Sequence, residues 1–125
     1  MIQEEVDFLH ISPVLSSSDI LKDIAWYESL GFQNVYDSSN YQDGPLDYAV
    51  IGRQNLFFHL QFQYPKDVII SDVKFRITGI HALINDFVEK GLLSRDQVFE
   101  KTAWNTCEFG LFDPTGNRIT FFEDL

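Results

Sequence analysis

The chain has 125 residues, 45% of them hydrophobic and 15% aromatic, a formal net charge of −10 and one cysteine. A core of that size stands without disulfides or metal, and that charge repels nucleic-acid phosphates and anionic lipid while drawing cations toward any hollow. Neither a nucleic acid nor a membrane is therefore an expected partner; the lone Cys107, the lack of a signal-like N-terminus and the short apolar runs lead to the expectation of a cytoplasmic protein.

In chain order, hydrophobic period predicts a strand near Phe8–Leu15, a helix from a Ser18/Asp19 cap to about Leu30, and strands near Gln33–Asp37, Asp47–Ile51 and Leu56–Phe62. Turns between them carry Gly44-Pro45 and Gly52. After a Tyr64–Ser71 connection the order recurs, with a strand over Val73–Ile77, a helix over Ile80–Lys90, and strands near Gln97–Lys101, Cys107–Phe112 and Arg118–Phe122. The helices repeat one another sixty residues apart: Ile20, Ile24, Tyr27, Gly31 and Phe32 fall on Ile80, Ile84, Phe87, Gly91 and Leu92. Each copy is one apolar face closed by a residue that accepts left-handed geometry. The expected class is α+β, one domain of two βαβββ modules, at about 8–64 and 72–125, forming a concave mixed sheet.

Strand parity divides a core face from a second, polar and aromatic face. Leu56, Phe58, Leu60 and Phe62 go to the core, as do Val73, Phe75, Ile77, Ile119 and Phe121. Phe57, His59 and Gln61 face away, with Asp72, Lys74, Arg76, Arg118, Thr120 and Phe122. A site between two modules draws on both, so the candidate ligand contacts are Tyr36, Tyr48, Phe57, His59 and Trp104. Trp104 either stacks on a flat heteroaromatic guest or plugs a seam, and Tyr36 and Tyr48 either complete an aromatic clamp or pack the sheet. His59 is suited to a hydrogen bond, a base, a metal ligand or a structural role. His10 shares a face with Ser12. His81, on the first turn of the second helix, has no assigned role; Cys107 reads as a buried, inert thiol; Ser16–Ser18 read as capping; and Glu108, Glu123 and Asp124 supply negative potential.

The segment Phe109-Gly-Leu-Phe-Asp-Pro-Thr-Gly-Asn-Arg-Ile-Thr-Phe-Phe-Glu123 resembles the closing hairpin of the vicinal oxygen chelate superfamily, which includes glyoxalase I, ring-cleaving dioxygenases and antibiotic resistance proteins. The paired βαβββ order and the helix end Trp26-Tyr27-Glu28-Ser29-Leu30-Gly31-Phe32 extend the likeness over the whole chain. Ile11–Asp19, Asn55–Leu60 and Ala103-Trp104 with Glu108-Phe109 are most similar to bleomycin resistance proteins. That resemblance implies the glyoxalase/bleomycin resistance fold, a homodimer, no cofactor, and sequestration of a cationic, partly aromatic small molecule. The superfamily's metal positions, carried over, fall on Ser12, His59, Asp72 and Thr120, of which only His59 and Asp72 are ligand types a divalent ion favours. The alternative implied by the superfamily is a metal-dependent lyase or dioxygenase whose ligands have shifted to neighbours such as His10 and Glu108.

Overall fold

The computed structural model describes residues 4–125. Its elements are β1 (Val14–Ser17), α1 (Ile20–Ser29), β2 (Gln33–Asp37), β3 (Tyr48–Arg53), β4 (Leu56–Phe62), β5 (Asp72–Arg76), α2 (Ile80–Glu89), β6 (Thr106–Phe112) and β7 (Arg118–Asp124), with short 3-10 turns at Ser38–Asn40, Pro65–Asp67 and Arg95–Gln97. Two mixed sheets result, ordered β1-β4-β3-β2 and β5-β7-β6. In each, the first strand runs parallel to the last and the rest pair antiparallel. No helix among the described residues is long and apolar enough to cross a membrane.

Each helix forms where the sequence repeat places it. Asp19 caps α1 by accepting from the Lys22 amide at 3.1 Å, and Ile20, Ile24 and Tyr27 bury the stripe that faces the first sheet. At α2 the equivalent capping position is Gly79, which has no side chain to offer. The cap comes from across the fold instead, as Glu123 Oε1 accepts from the Ile80 amide at 2.9 Å. Gly31 and Gly91 end the helices at φ of 91° and 73°, so the repeated glycine does repeated work.

The core runs through both halves. Phe75 meets Phe32 at 5.6 Å and Phe58 at 6.1 Å between ring centroids, and lies stacked on Phe121 at 5.6 Å. Beside this apolar seam runs a buried polar one, built on the β6–β7 turn. Asp113 Oδ1 accepts the Gly116 and Asn117 amides, both at 2.8 Å, while its Oδ2 accepts the Tyr27 hydroxyl at 2.6 Å and the Asn117 side chain at 3.0 Å. Asn117 donates in turn to the Ser16 carbonyl, and the Thr115 and Ser17 hydroxyls both donate to Asp23 Oδ2. The turn Asp113–Asn117 therefore clasps β1 and α1. Burial and the neighbouring Asp113 raise the Asp23 carboxyl above its ordinary range, and burial with the same aspartate raises the Tyr27 phenol.

Two expected strands are corrected. β1 starts at Val14, six residues later than Phe8, because its parallel ladder with β4 ends at Val14–His59 and Pro13 has no amide to continue it. Residues 4–13 are then largely exposed, with Phe8, Leu9 and Ile11 uncovered. The strand expected at Gln97–Lys101 is a 3-10 turn followed by a single bridge, Phe99 to Glu108. A reciprocal capping box between Ser94 and Gln97 holds the backbone in a turn there. The second sheet thus has three strands where the first has four. Two smaller departures from the parity reading occur at strand ends: Leu56 is half exposed at the β3–β4 turn, and Ile77 falls just past the end of β5.

Candidate functional site

The register assigns the face of each sheet that points away from the helices. On the first sheet it carries three cross-strand rows: Tyr36–Val50–His59–Val14, Tyr48–Gln61–Ser16, and Gln33–Gly52–Phe57. Tyr36, Tyr48, Phe57 and His59 therefore share one face. Tyr36 and Phe57 are each 45% exposed. Tyr36 stacks on Tyr41 at 6.0 Å, an aromatic neighbour from the β2–β3 connection that strand periodicity could not locate. The Tyr48 hydroxyl is hydrogen-bonded to His59 Nδ1, with the two rings edge to face at 5.4 Å. Opposite Phe57 stands Gly52, where a Cβ would lie 2.6 Å from the phenyl ring, so the missing side chain is what lets that ring lie down on β3.

The matching face of the second sheet carries Asp72–Arg118–Phe112, Lys74–Thr120–Gly110 and Arg76–Phe122–Glu108. Trp104 belongs here. It sits in a turn that ends at Asn105, whose φ of 67° suits an asparagine, and it is 64% exposed. Its indole Nε1 donates to Glu108 Oε2 at 3.1 Å, and Lys74 Nζ stands 5.9 Å from the ring centroid. Since Glu108 is on β6 and Lys74 on β5, with β7 between them, the indole spans the middle strand. Thr106 donates to the same Glu108 oxygen at 2.8 Å. Glu108 is thus a positioning group for Trp104, and its spacing of four residues from the tryptophan was the available sequence signal. Trp104 and the tyrosines stand on different sheets of one chain.

The four carried-over metal positions are divided between the two sheets and the segment ahead of β1. Ser12 lies ahead of β1, its hydroxyl 3.2 Å from His10 Nδ1. His59 already has a ring nitrogen bonded to Tyr48, and Asp72, on the other sheet, lies 3.9 Å from Arg118. Thr120 is buried, with no partner for its hydroxyl among the described residues. Two strong donors on separate sheets do not fit the three or four that a catalytic divalent ion requires. Of the shifted set, His10 is in the exposed arm and Glu108 accepts from Trp104 and Thr106.

A cavity of about 700 Å³ opens elsewhere, at the junction of the β3–β4 turn with α2. Its walls include Phe32, Leu56, Phe75 and Phe121, with Arg53 and Arg76 among the polar residues. Arg53 is committed in part, donating to the Leu30 carbonyl at 2.7 Å, and Arg76 pairs with Asp124 at 2.8 Å. None of the sequence-selected site residues lines this space.

The family model described as "Glyoxalase superfamily protein" matches residues 1–125. No curated protein matches the chain. Among solved structures, a glyoxalase-related enzyme from Clostridium phytofermentans is 23% identical, with 98% of this chain and 100% of that one covered at a TM-score of 0.72. A bleomycin-binding protein complexed with bleomycin is 19% identical over 94% and 100% of the two chains, with a TM-score of 0.68. The bleomycin-binding protein from Streptomyces verticillus, complexed with copper(II)-bleomycin, is 23% identical over 94% and 97%, with a TM-score of 0.69. With the paired mixed sheets and the match over its full length, the chain belongs to the glyoxalase superfamily, the vicinal oxygen chelate group, and its fold is similar to that of the bleomycin-binding proteins.

Proposed function

We propose that this protein binds a cationic, partly aromatic small molecule of the bleomycin type on the open sheet faces and holds it without chemistry. The observation that carries the reading is Trp104, exposed yet held by Glu108 across β7, so that a flat ring meets an indole already placed beside a carboxylate. A side chain fixed in advance reduces the ordering cost of binding. The net charge of −10 and the exposed Tyr36 and Phe57 act in the same direction, by attraction and by stacking area.

In this reading the binding groove is completed in a cytoplasmic homodimer, where the aromatic face of one protomer's first sheet is covered by the other protomer. The groove needs no cofactor, since the donor set at Ser12, His59, Asp72 and Thr120 does not suit one. Whether the halves are paired or exchanged between chains does not alter the chemistry of the faces. Proteins resembling this chain do bind such a ligand, as the bleomycin complexes among its structural neighbours illustrate.

Calorimetric titration with bleomycin-class compounds tests the proposal. Saturable heat at micromolar ligand supports it; no heat and no protection from thermal unfolding at high micromolar ligand removes the assignment. A second reading has one observation in its favour, the guanidinium groups of Arg53 and Arg76 on the mixed polar and apolar wall of the 700 Å³ cavity, which Asp86 also lines. That surface suits an amphipathic anion, so stabilisation by an aryl carboxylate and not by a cation would transfer the function there.

A further inference from the structure

Away from both sheet faces, three side chains of unlike sequence position converge at the N-terminal end of α2. His81 Nε2 lies 2.9 Å from Glu100 Oε2, and the Cys107 thiol donates to that same oxygen at 3.8 Å. One donor atom from each of the three lies within 4.8 Å of the others. The local fold explains the meeting. The Phe99–Glu108 bridge sets residue 100 beside residue 107, and the cap that Glu123 places on Ile80 pins the first turn of α2 where His81 projects.

We infer that His81, Glu100 and Cys107 form a surface site for a single borderline transition-metal ion, best suited to Zn²⁺, separate from the superfamily's metal positions. Thiolate, imidazole and carboxylate are the donor types zinc combines, and three protein ligands leave a fourth position for water. In tetrahedral zinc sites, bonds of about 2.0–2.3 Å hold ligand atoms roughly 3.3–3.8 Å apart. The 3.8 Å sulfur–oxygen pair already meets that spacing, while the His81–Glu100 pair must open slightly. Both can move, since their side chains are 65% and 70% exposed, and the buried Cys107 is fixed on β6 as the anchor.

The carboxylates of Glu100, Glu123 and Glu108 near Cys107 favour a cation at this point. Burial, then Glu100, Glu123 and Glu108, push the Cys107 thiol above its ordinary range, so without metal it stays protonated. A divalent ion reverses the sign of that environment and displaces the proton. The same feature argues against a nucleophilic role, which needs a lowered thiol pKa.

The test titrates untagged, reduced protein with Co²⁺ and then displaces it with Zn²⁺. The expected result is one equivalent of Co²⁺ with a thiolate-to-metal charge-transfer band and tetrahedral visible absorption, both abolished by Zn²⁺. Cys107→Ser should remove the band, and His81→Ala should weaken binding about 100-fold, at or beyond the upper end of losses for outer-shell partners. His81 is exposed, so that variant reports on the site even if the Cys107 variant folds poorly. Absence of the band, binding that survives both substitutions, or binding lost instead on His59→Ala would each overturn the assignment.

Discussion

Removing one hydroxyl tests the clasp between the halves. Tyr27→Phe keeps the ring, and with it the edge-to-face contacts with Phe58 at 4.9 Å and Phe32 at 6.0 Å. It deletes only the O–H that donates to Asp113 Oδ2 at 2.6 Å, a length in the range of charge-assisted hydrogen bonds. Asp113 is buried, so the oxygen that loses this donor is left with the Asn117 side chain at 3.0 Å. Bonds to charged groups contribute about 1.5–3 kcal/mol, and that range is the expected loss. With an unfolding entropy of about 2.1 cal/mol/K per residue, a 125-residue chain loses roughly 4 °C of Tm per kcal/mol, so Tm should fall by about 6–11 °C. Urea unfolding at fixed protein concentration, followed by far-ultraviolet circular dichroism, gives the free energy, and an unchanged slope would certify that the denatured state is the same. A double-mutant cycle with Asp113→Asn should return a coupling above about 1 kcal/mol. A loss under about 0.5 kcal/mol, or no coupling, would mean that the Tyr27–Asp113 bond adds nothing to the joining of the halves.

Asp23→Asn should raise stability at neutral pH, because the folded carboxyl is raised above its unfolded value and its ionisation opposes folding. The sign follows from proton uptake: below the unfolded value of about 3.8 both states are protonated and the advantage vanishes, while above the folded value it is complete. Urea midpoints at several pH values would show the gap between variant and wild type opening as pH rises, and a gap of constant size would contradict the raised carboxyl. Trp104→Ala should weaken a bleomycin-class ligand by roughly 10- to 100-fold, corresponding to about 1–3 kcal/mol of stacking, with Trp104→Phe in between; equal heats for all three proteins would remove the indole from the site. Gly52→Ala should cost under about 1 kcal/mol in stability, since the Phe57 ring it strikes is half exposed and can swing away. The same substitution should lower ligand affinity by displacing that ring, and calorimetry on the variant checks it.

The helices and the face assignment of β4, β5 and β7 were legible because each is decided by side chains close in sequence. An apolar residue at i, i+4 and i+7 closes only one way, and alternation along Leu56–Phe62 leaves Phe57 and His59 on the face opposite Phe58 and Leu60. The two misread strands share a cause. Phe8–Leu15 and Gln97–Lys101 carry the right residues for extended chain, yet a strand also needs a partner, and the pairing of residues 8–13 or 97–101 is a long-range property. Among the site residues, the parity argument placed Phe57 and His59 on the face away from the core, whereas Tyr36 joins them only through a register shift after Asn34 that alternation does not foresee. It could not reveal that Trp104 is tethered by Glu108, or that His81 and Glu100, nineteen positions apart, would stand beside Cys107. Such meetings arise from how α2 docks on its sheet, and no local pattern encodes them.

The Asp113–Asn117 turn has a consequence for how the molecule matures. It is synthesised well after the first helix, yet it supplies the donors and acceptors that Asp23, Ser16 and Tyr27 require there. A nascent first half that has built its own helix and sheet still holds a carboxylate and a phenol facing empty space. Completion of that half waits on the β6–β7 hairpin, so removing the Asp113–Asn117 turn should undo contacts made a hundred positions upstream.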